Sequence, residues 1–160
     1  MMNVKLIVLG KLKEDYLRQA CAEYQKRLNA FCRLHIAELM PQRLPDNPSQ
    51  AQIDDALQRE ATEILKLIPP SAKVFSLCIE GKMLSSEAFS KELSQTAVNG
   101  TGCVVFIIGS SFGLSETVKK NSHVRLSMSP MTFPHQLARV MLLEQLYRAF
   151  QISNGGKYHK

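Results

Sequence analysis

Apolar positions along the chain switch repeatedly between two periods. Short, nearly unbroken or alternating apolar runs stand at 4–10 ("VKLIVLG"), 33–39 ("RLHIAEL"), 73–79 ("KVFSLCI"), 103–109 ("CVVFIIG") and 123–129 ("HVRLSMS"). Runs of this length, bounded by turn residues, predict five strands. Between them the spacing becomes helical, as at Leu17, Ala20, Cys21, Tyr24 and Leu28 within 14–31. A loop with Pro41, Pro45 and Pro48 precedes a second helix over 50–67, which Pro69-Pro70 stop. A turn at "EGK" leads to a third helix, opened by Ser85 or Ser86 with Glu87 in its first turn and closed by Asn99-Gly100. A short fourth helix, capped by Ser115, follows the loop "SSFG", and a fifth covers 134–152. Strands alternating with helices predict one α/β domain over 1–160 with a mainly parallel sheet. Ligands in such sheets sit beyond the carboxyl ends of the strands. Three loops lie there: after 77–79, after Gly109, and 127–133.

The fifth helix is the most apolar. Thr132 is expected to cap it, and Pro134 in its first turn costs no hydrogen bond. Leu137, Ala138, Val140, Met141, Leu142, Leu143, Leu146, Tyr147 and Phe150 cover more than one stripe, so the helix is expected to be buried on two sides. In a chain this short a second copy most simply supplies the other side, which predicts a homodimer with Leu142 and Leu146 in its interface. At 100° per residue, His135, Arg139, Leu142, Leu143, Leu146 and Phe150 share one sector. A guanidinium there needs partners. Two readings stand for Arg139: a structural pair with a carboxylate such as Glu144 or Glu80, or an anion- or RNA-binding arginine at an interface active site. His135 is either bonded to backbone at the helix entry or directed into the same cleft.

Charge adds a direction. Twenty Lys and Arg against fourteen Asp and Glu give +6, compatible with spare surface lysines or with phosphate contacts to nucleic acid. Cys21, Cys32, Cys78 and Cys103 form no CxxC pair and no zinc spacing, so they read as structural thiols and no metal is expected. The start of the sequence lacks a signal-peptide pattern and no run reaches membrane-spanning length, so a cytoplasmic location without membrane contact is expected.

No GxxxxGK[ST] or GxGxxG is present. "GSSFG" at 109–113 is either a plain strand-to-helix turn or a point where backbone approaches a flat ligand. The end, "GGKYHK", is expected to be flexible. It also carries Tyr158, which can stack on a base, His159, which can take a proton, and lysines suited to phosphate.

Taken together, "EGKMLSSEAF", "FIIGSSFGL", "LSMSPMTFPHQLARVMLLEQLYRA" and the terminal "YHK" resemble the RlmH family, bacterial 23S rRNA pseudouridine N3-methyltransferases of the SPOUT class. The resemblance runs the whole length. It implies a homodimeric α/β fold with a C-terminal trefoil knot, where strand counting alone predicts an unknotted sheet. It implies S-adenosylmethionine as cofactor, with contacts at Leu77, Gly109, Met128, Ser129, Pro130, Met131, Thr132 and Phe133. These are the loops that the carboxyl-end rule selects. Ser110-Ser111-Phe112 depart from the Gly-x-Asn or Gly-x-Asp turn frequent in relatives, and Met128 and Pro130 hold variable places, so contacts there are expected through backbone. For catalysis the candidates are His159 as base and Arg139 as stabiliser of negative charge, with His135, Tyr158 and Lys160 meeting substrate RNA. The expected substrate is 23S rRNA within an assembled ribosome. A non-enzymatic ribosome- or RNA-binding dimer is the competing reading, and a small-molecule α/β enzyme the third.

Overall fold

The computed structural model describes residues 1–160. Strands and helices alternate as β1 (Met2–Leu9), α1 (Asp15–Leu28), β2 (Cys32–Leu39), α2 (Gln50–Lys66), β3 (Lys73–Met83), α3 (Ser86–Val98), β4 (Cys103–Ile108), α4 (Glu116–Lys120), β5 (Val124–Ser127) and α5 (His135–Ser153). The sheet order is β2-β1-β4-β3-β5, and every neighbouring pair is parallel. Alternation along each strand sorts its side chains between two helical layers. Val4, Leu6 and Val8 of β1 join a larger core with residues of α1, α3 and α5, while Ile7 and Leu9 join a smaller core with residues of α2 and α4. Phe75 and Phe106 stack at 4.8 Å between centroids, and Phe89 of α3 meets both edge-on. Each fully buried ring contributes roughly 1.5–3 kcal/mol.

Helix starts follow the local chemistry. Ser49 opens α2 through a capping box with Gln52, and Ser85 and Ser115 accept from the backbone N–H of Ala88 and Val118 at the starts of α3 and α4. α5 departs from this rule. Its N-cap is Pro134, with no side-chain cap, so Thr132 does not cap it. Thr132 instead sits in the loop before the helix, where proline fixes the entry angle.

Two further expectations change. "EGK" is not a turn between strand and helix, because β3 continues to Met83. Leu126 of β5 pairs with both Leu77 and Lys82, so Cys78, Ile79, Glu80 and Gly81 bulge out of the ladder before pairing resumes. The second change concerns α5. Leu142, Leu143 and Leu146 are 1% exposed or less within one chain, so they belong to the protomer's own core and not to an interface. α5 packs on α1 and α3, which leaves Leu137 and Met141 on its outward side, while the C-terminal tail covers Glu144 and Arg148. Leu137 is 39% exposed.

Candidate active site

The carboxyl ends of β3, β4 and β5 open into one cavity of about 840 Å³, within the usual size of a small-molecule site. The β3 bulge forms one wall, with Cys78, Ile79 and Glu80 facing the cavity. Gly81 lets the bulge rejoin the sheet, since a Cβ there would stand 2.6 Å from the Arg125 carbonyl oxygen. Lys119 of α4 pairs with Glu80 and holds its carboxyl below the usual carboxylate range. Burial pushes the Cys78 thiol up, which disfavours its thiolate.

The second wall is the loop after β4. Gly113 N–H donates to the Ser110 carbonyl at 2.9 Å, closing a tight ring. Gly109 lies against that ring: a Cβ on it would come 2.3 Å from the Gly113 carbonyl oxygen. The third wall follows β5. Ser127 Oγ donates to the Ser129 carbonyl at 3.1 Å, and Met131 N–H donates to Ser129 Oγ at 2.9 Å. These two bonds brace the loop.

The cavity therefore brings together Leu77, Gly109, Met128, Ser129, Met131, Thr132 and Phe133, with His135 at the start of α5. Pro130 stands outside its lining, at the exposed tip of the loop. Sequence reasoning missed the bulge residues and Lys119. Gly81 inside a strand pattern was the available signal, because an isolated glycine there marks a bulge.

Arg139 is not in the cavity wall. It is 4% exposed, and its Nη1 donates to Glu38 Oε2 at 2.8 Å while Nη2 donates to the Gly10 carbonyl at 3.0 Å. The partner carboxylate is thus Glu38 of β2, not Glu144 or Glu80, and Arg139 faces inward rather than a cleft between protomers. Its charge still reaches the site. Partial burial, then Arg139 and Lys13, hold the His135 imidazole below its ordinary pKa of 6.5. A depressed histidine penalises folding once the unfolded chain binds its proton, so stability falls as pH drops through 6.5. His135→Gln is expected to flatten this acid-side loss in melting temperature between pH 7 and 5, and an unchanged profile would contradict it.

The C-terminal tail is ordered on its own chain, contrary to the expected flexible end. Tyr158 Oη donates to Glu144 Oε1 at 2.9 Å, its ring meets Tyr147 edge-on at 4.8 Å, and the Arg148 guanidinium lies 4.7 Å from the ring centre. Burial, with Glu144 beside it, pushes the Tyr158 hydroxyl up to about 12. Arg148 Nη1 donates to His159 Nδ1 at 3.1 Å, which leaves Nε2–H to donate to Glu87 Oε1 at 2.7 Å. Lys160 is exposed, and none of the three lines the cavity.

Over residues 2–159 the chain matches the family described as "Predicted SPOUT methyltransferase". The chain belongs to the SPOUT methyltransferase family. Its relatives include proteins named "Ribosomal RNA large subunit methyltransferase H". The one from Clostridium botulinum (strain Alaska E43 / Type E3) is 50% identical over 99% of this chain and 100% of that one. The one from Leuconostoc mesenteroides is 46% identical over the same shares. Among solved structures, a probable methyltransferase from Bordetella pertussis Tohama I shares the fold at a TM-score of 0.54 and 15% identity, covering 93% of this chain and 96% of that one. The cavity at the strand ends is thus the candidate active site of a SPOUT methyltransferase.

Proposed function

We propose that this methyltransferase modifies N3 of a pseudouridine in 23S rRNA, using S-adenosylmethionine, and that it acts as a homodimer on the assembled ribosome in the cytoplasm. One observation carries the reading. The three strand-end loops converge on a single cavity in a chain whose full-length relatives are named as methyltransferases of large-subunit ribosomal RNA. A non-enzymatic RNA-binding dimer gives no reason for that cavity.

The cavity suits the cofactor on its own chemistry. Eleven of its 21 lining residues are hydrophobic, which favours a purine face and a thioether chain. Backbone at Gly109 and around Ser129 offers the polar groups that hydroxyls and an amino acid end require. Leu77, Gly109, Met128, Ser129, Met131, Thr132 and Phe133 would hold it, and Pro130 would set the shape of the loop tip. When bound, the cofactor would supply an electrophilic methyl group on a sulfonium. The same reading carries the C-terminal trefoil knot that the family resemblance implies.

The protein's own residues divide the remaining work. His135, beside the cavity at the start of α5, meets the substrate base. Arg139 acts through position, fixing Glu38 and the Gly10 backbone beside His135. His159 takes the N3 proton on Nδ1 after leaving Arg148, since Nε2 already carries the hydrogen it donates to Glu87. Tyr158 stacks on RNA once it leaves Tyr147, and Lys160 meets phosphate. A chain this small has little surface for gripping a long RNA, so the particle supplies the positioning.

Two experiments test this reading. Ribosomes lacking the modification are expected to accept labelled methyl from S-adenosylmethionine far faster than naked 23S rRNA does. Equal rates would overturn the assembled substrate, and no transfer to either would overturn the function. For the dimer, Leu137→Asp is expected to give a folded monomer in gel filtration, whereas Leu142→Asp unfolds the chain at a cost of several kcal/mol. An intact Leu137→Asp dimer would place the interface elsewhere.

A further inference from the structure

Glu60 of α2 is 5% exposed, and no cation pairs with it. Its carboxylate is held only by neutral donors: the Gln42 N–H reaches Oε2 at 2.9 Å and the Ser110 hydroxyl reaches Oε1 at 3.2 Å. Burial accordingly pushes its carboxyl pKa up, against the pull of those two bonds. A buried acid without a cation is an expensive way to fill space, and an apolar residue of similar size would pack there at less cost. The position therefore calls for a reason beyond packing.

The partners supply it. Ser110 follows Gly109 and lines the cavity, and its carbonyl closes the 110–113 ring against which Gly109 sits. Gln42 belongs to the proline-bounded segment joining β2 to α2. The cations of these two helices that form ion pairs do so with other acids: Arg59 with Asp55, Lys66 with Glu63, and Lys119 with Glu80. Glu60 is thus a buried group that ties the β2–α2 segment to the loop after β4.

We infer that Glu60 is a positioning residue of the cavity: through Ser110 it anchors the 109–113 ring to α2 and to the β2–α2 segment. The link to cofactor affinity rests on the S-adenosylmethionine reading above. The anchoring itself does not.

Four variants test it: Glu60→Ala, Ser110→Ala, the double variant, and Glu60→Gln. A glutamine can accept from Gln42 and donate to the Ser110 hydroxyl, so it keeps both bonds and removes the charge. Amide exchange of the ligand-free protein and calorimetry with S-adenosylmethionine are the two readouts. Either alanine variant is expected to speed exchange at the Gly113 N–H and to weaken cofactor binding, each by about tenfold or more. The double variant is expected to match the singles, because one link cannot be lost twice. Glu60→Gln is expected to stay within about twofold of the parent in both readouts. Unchanged exchange and affinity in Ser110→Ala, which is half-buried at the cavity and tolerates truncation, would overturn the inference even if Glu60→Ala unfolds. Additive losses in the double variant, or a glutamine variant as weak as the alanine one, would overturn it too. If the exchange pattern appears but the parent binds no S-adenosylmethionine, the anchor stands and the cofactor reading falls.

Discussion

Gly109→Ala is expected to weaken S-adenosylmethionine binding on the order of 10²-fold, equivalent to about 2.7 kcal/mol. The cause is steric and local. The added Cβ would lie 2.3 Å from the Gly113 carbonyl oxygen and 2.5 Å from its carbon, both backbone atoms that cannot rotate away. Relief requires opening the ring that Gly113 N–H closes onto Ser110, and that ring is a wall of the cavity. Gly113 provides the control. It holds φ +85°, with nothing within 4 Å of an added Cβ. Gly113→Asn therefore meets only the modest backbone cost of the left-handed region, about 1–2 kcal/mol or less, and no clash. Calorimetric titration of both variants decides the matter, and a Gly109→Ala protein that binds like the parent would remove the loop from the cofactor site.

Deleting residues 157–160 is expected to do the opposite. Cofactor affinity stays within a few-fold, while methyl transfer to ribosomes lacking the modification falls by orders of magnitude. The tail touches α5 and α3 through Glu144, Tyr147, Arg148 and Glu87, and no part of it lines the cavity. Its contribution is therefore separable from cofactor binding. His159→Ala is expected to lower turnover by roughly 10²-fold if the imidazole accepts the proton. Tyr158→Ala is expected to weaken substrate engagement by about 1–3 kcal/mol, the worth of a base stacked on an aromatic ring. Mixing a Gly109→Trp chain with a tail-deleted chain then reports whether a tail serves its own protomer or its partner. Restored activity in the heterodimer means a shared site. Full activity of the tail-deleted protein would end the case for His159.

The periodic segments were legible because their causes are local. A short unbroken apolar run such as "CVVFII", bounded by glycines and rich in β-branched residues, fits a strand buried on both faces, and it forms β4 at the centre of the sheet. Ser85 and Ser115 announce helix starts through bonds to N–H groups three residues on. The strand-end rule likewise picked loops that converge on the cavity, because parallel α/β layers leave their open crevice only at that end. Motif resemblance supplied the family.

Tertiary structure decided what depends on distant partners. Arg139 finds Glu38, 101 residues away in sequence, because β2 lies beside β1 and ends near the start of α5. No periodicity encodes that choice among fourteen acidic residues. The β3 bulge exists because β5 returns to pair with Lys82 as well as Leu77, a register set by two strands together. Leu142 and Leu146 face the protomer's own core because α1 and α3 close over that side of α5. The apolar count of α5 gave the amount of burial and not its direction. Glu60 shows the same division: the sequence displays one more acid on an amphipathic helix, and only the fold sets it against Ser110 and Gln42. Local pattern determined the elements and the end of the sheet where the site lies, since both follow from side-chain period and backbone hydrogen bonding. The pairing of charges, the bulge and the docked tail were settled by contacts across the fold, where geometry selects among partners that the chain presents equally.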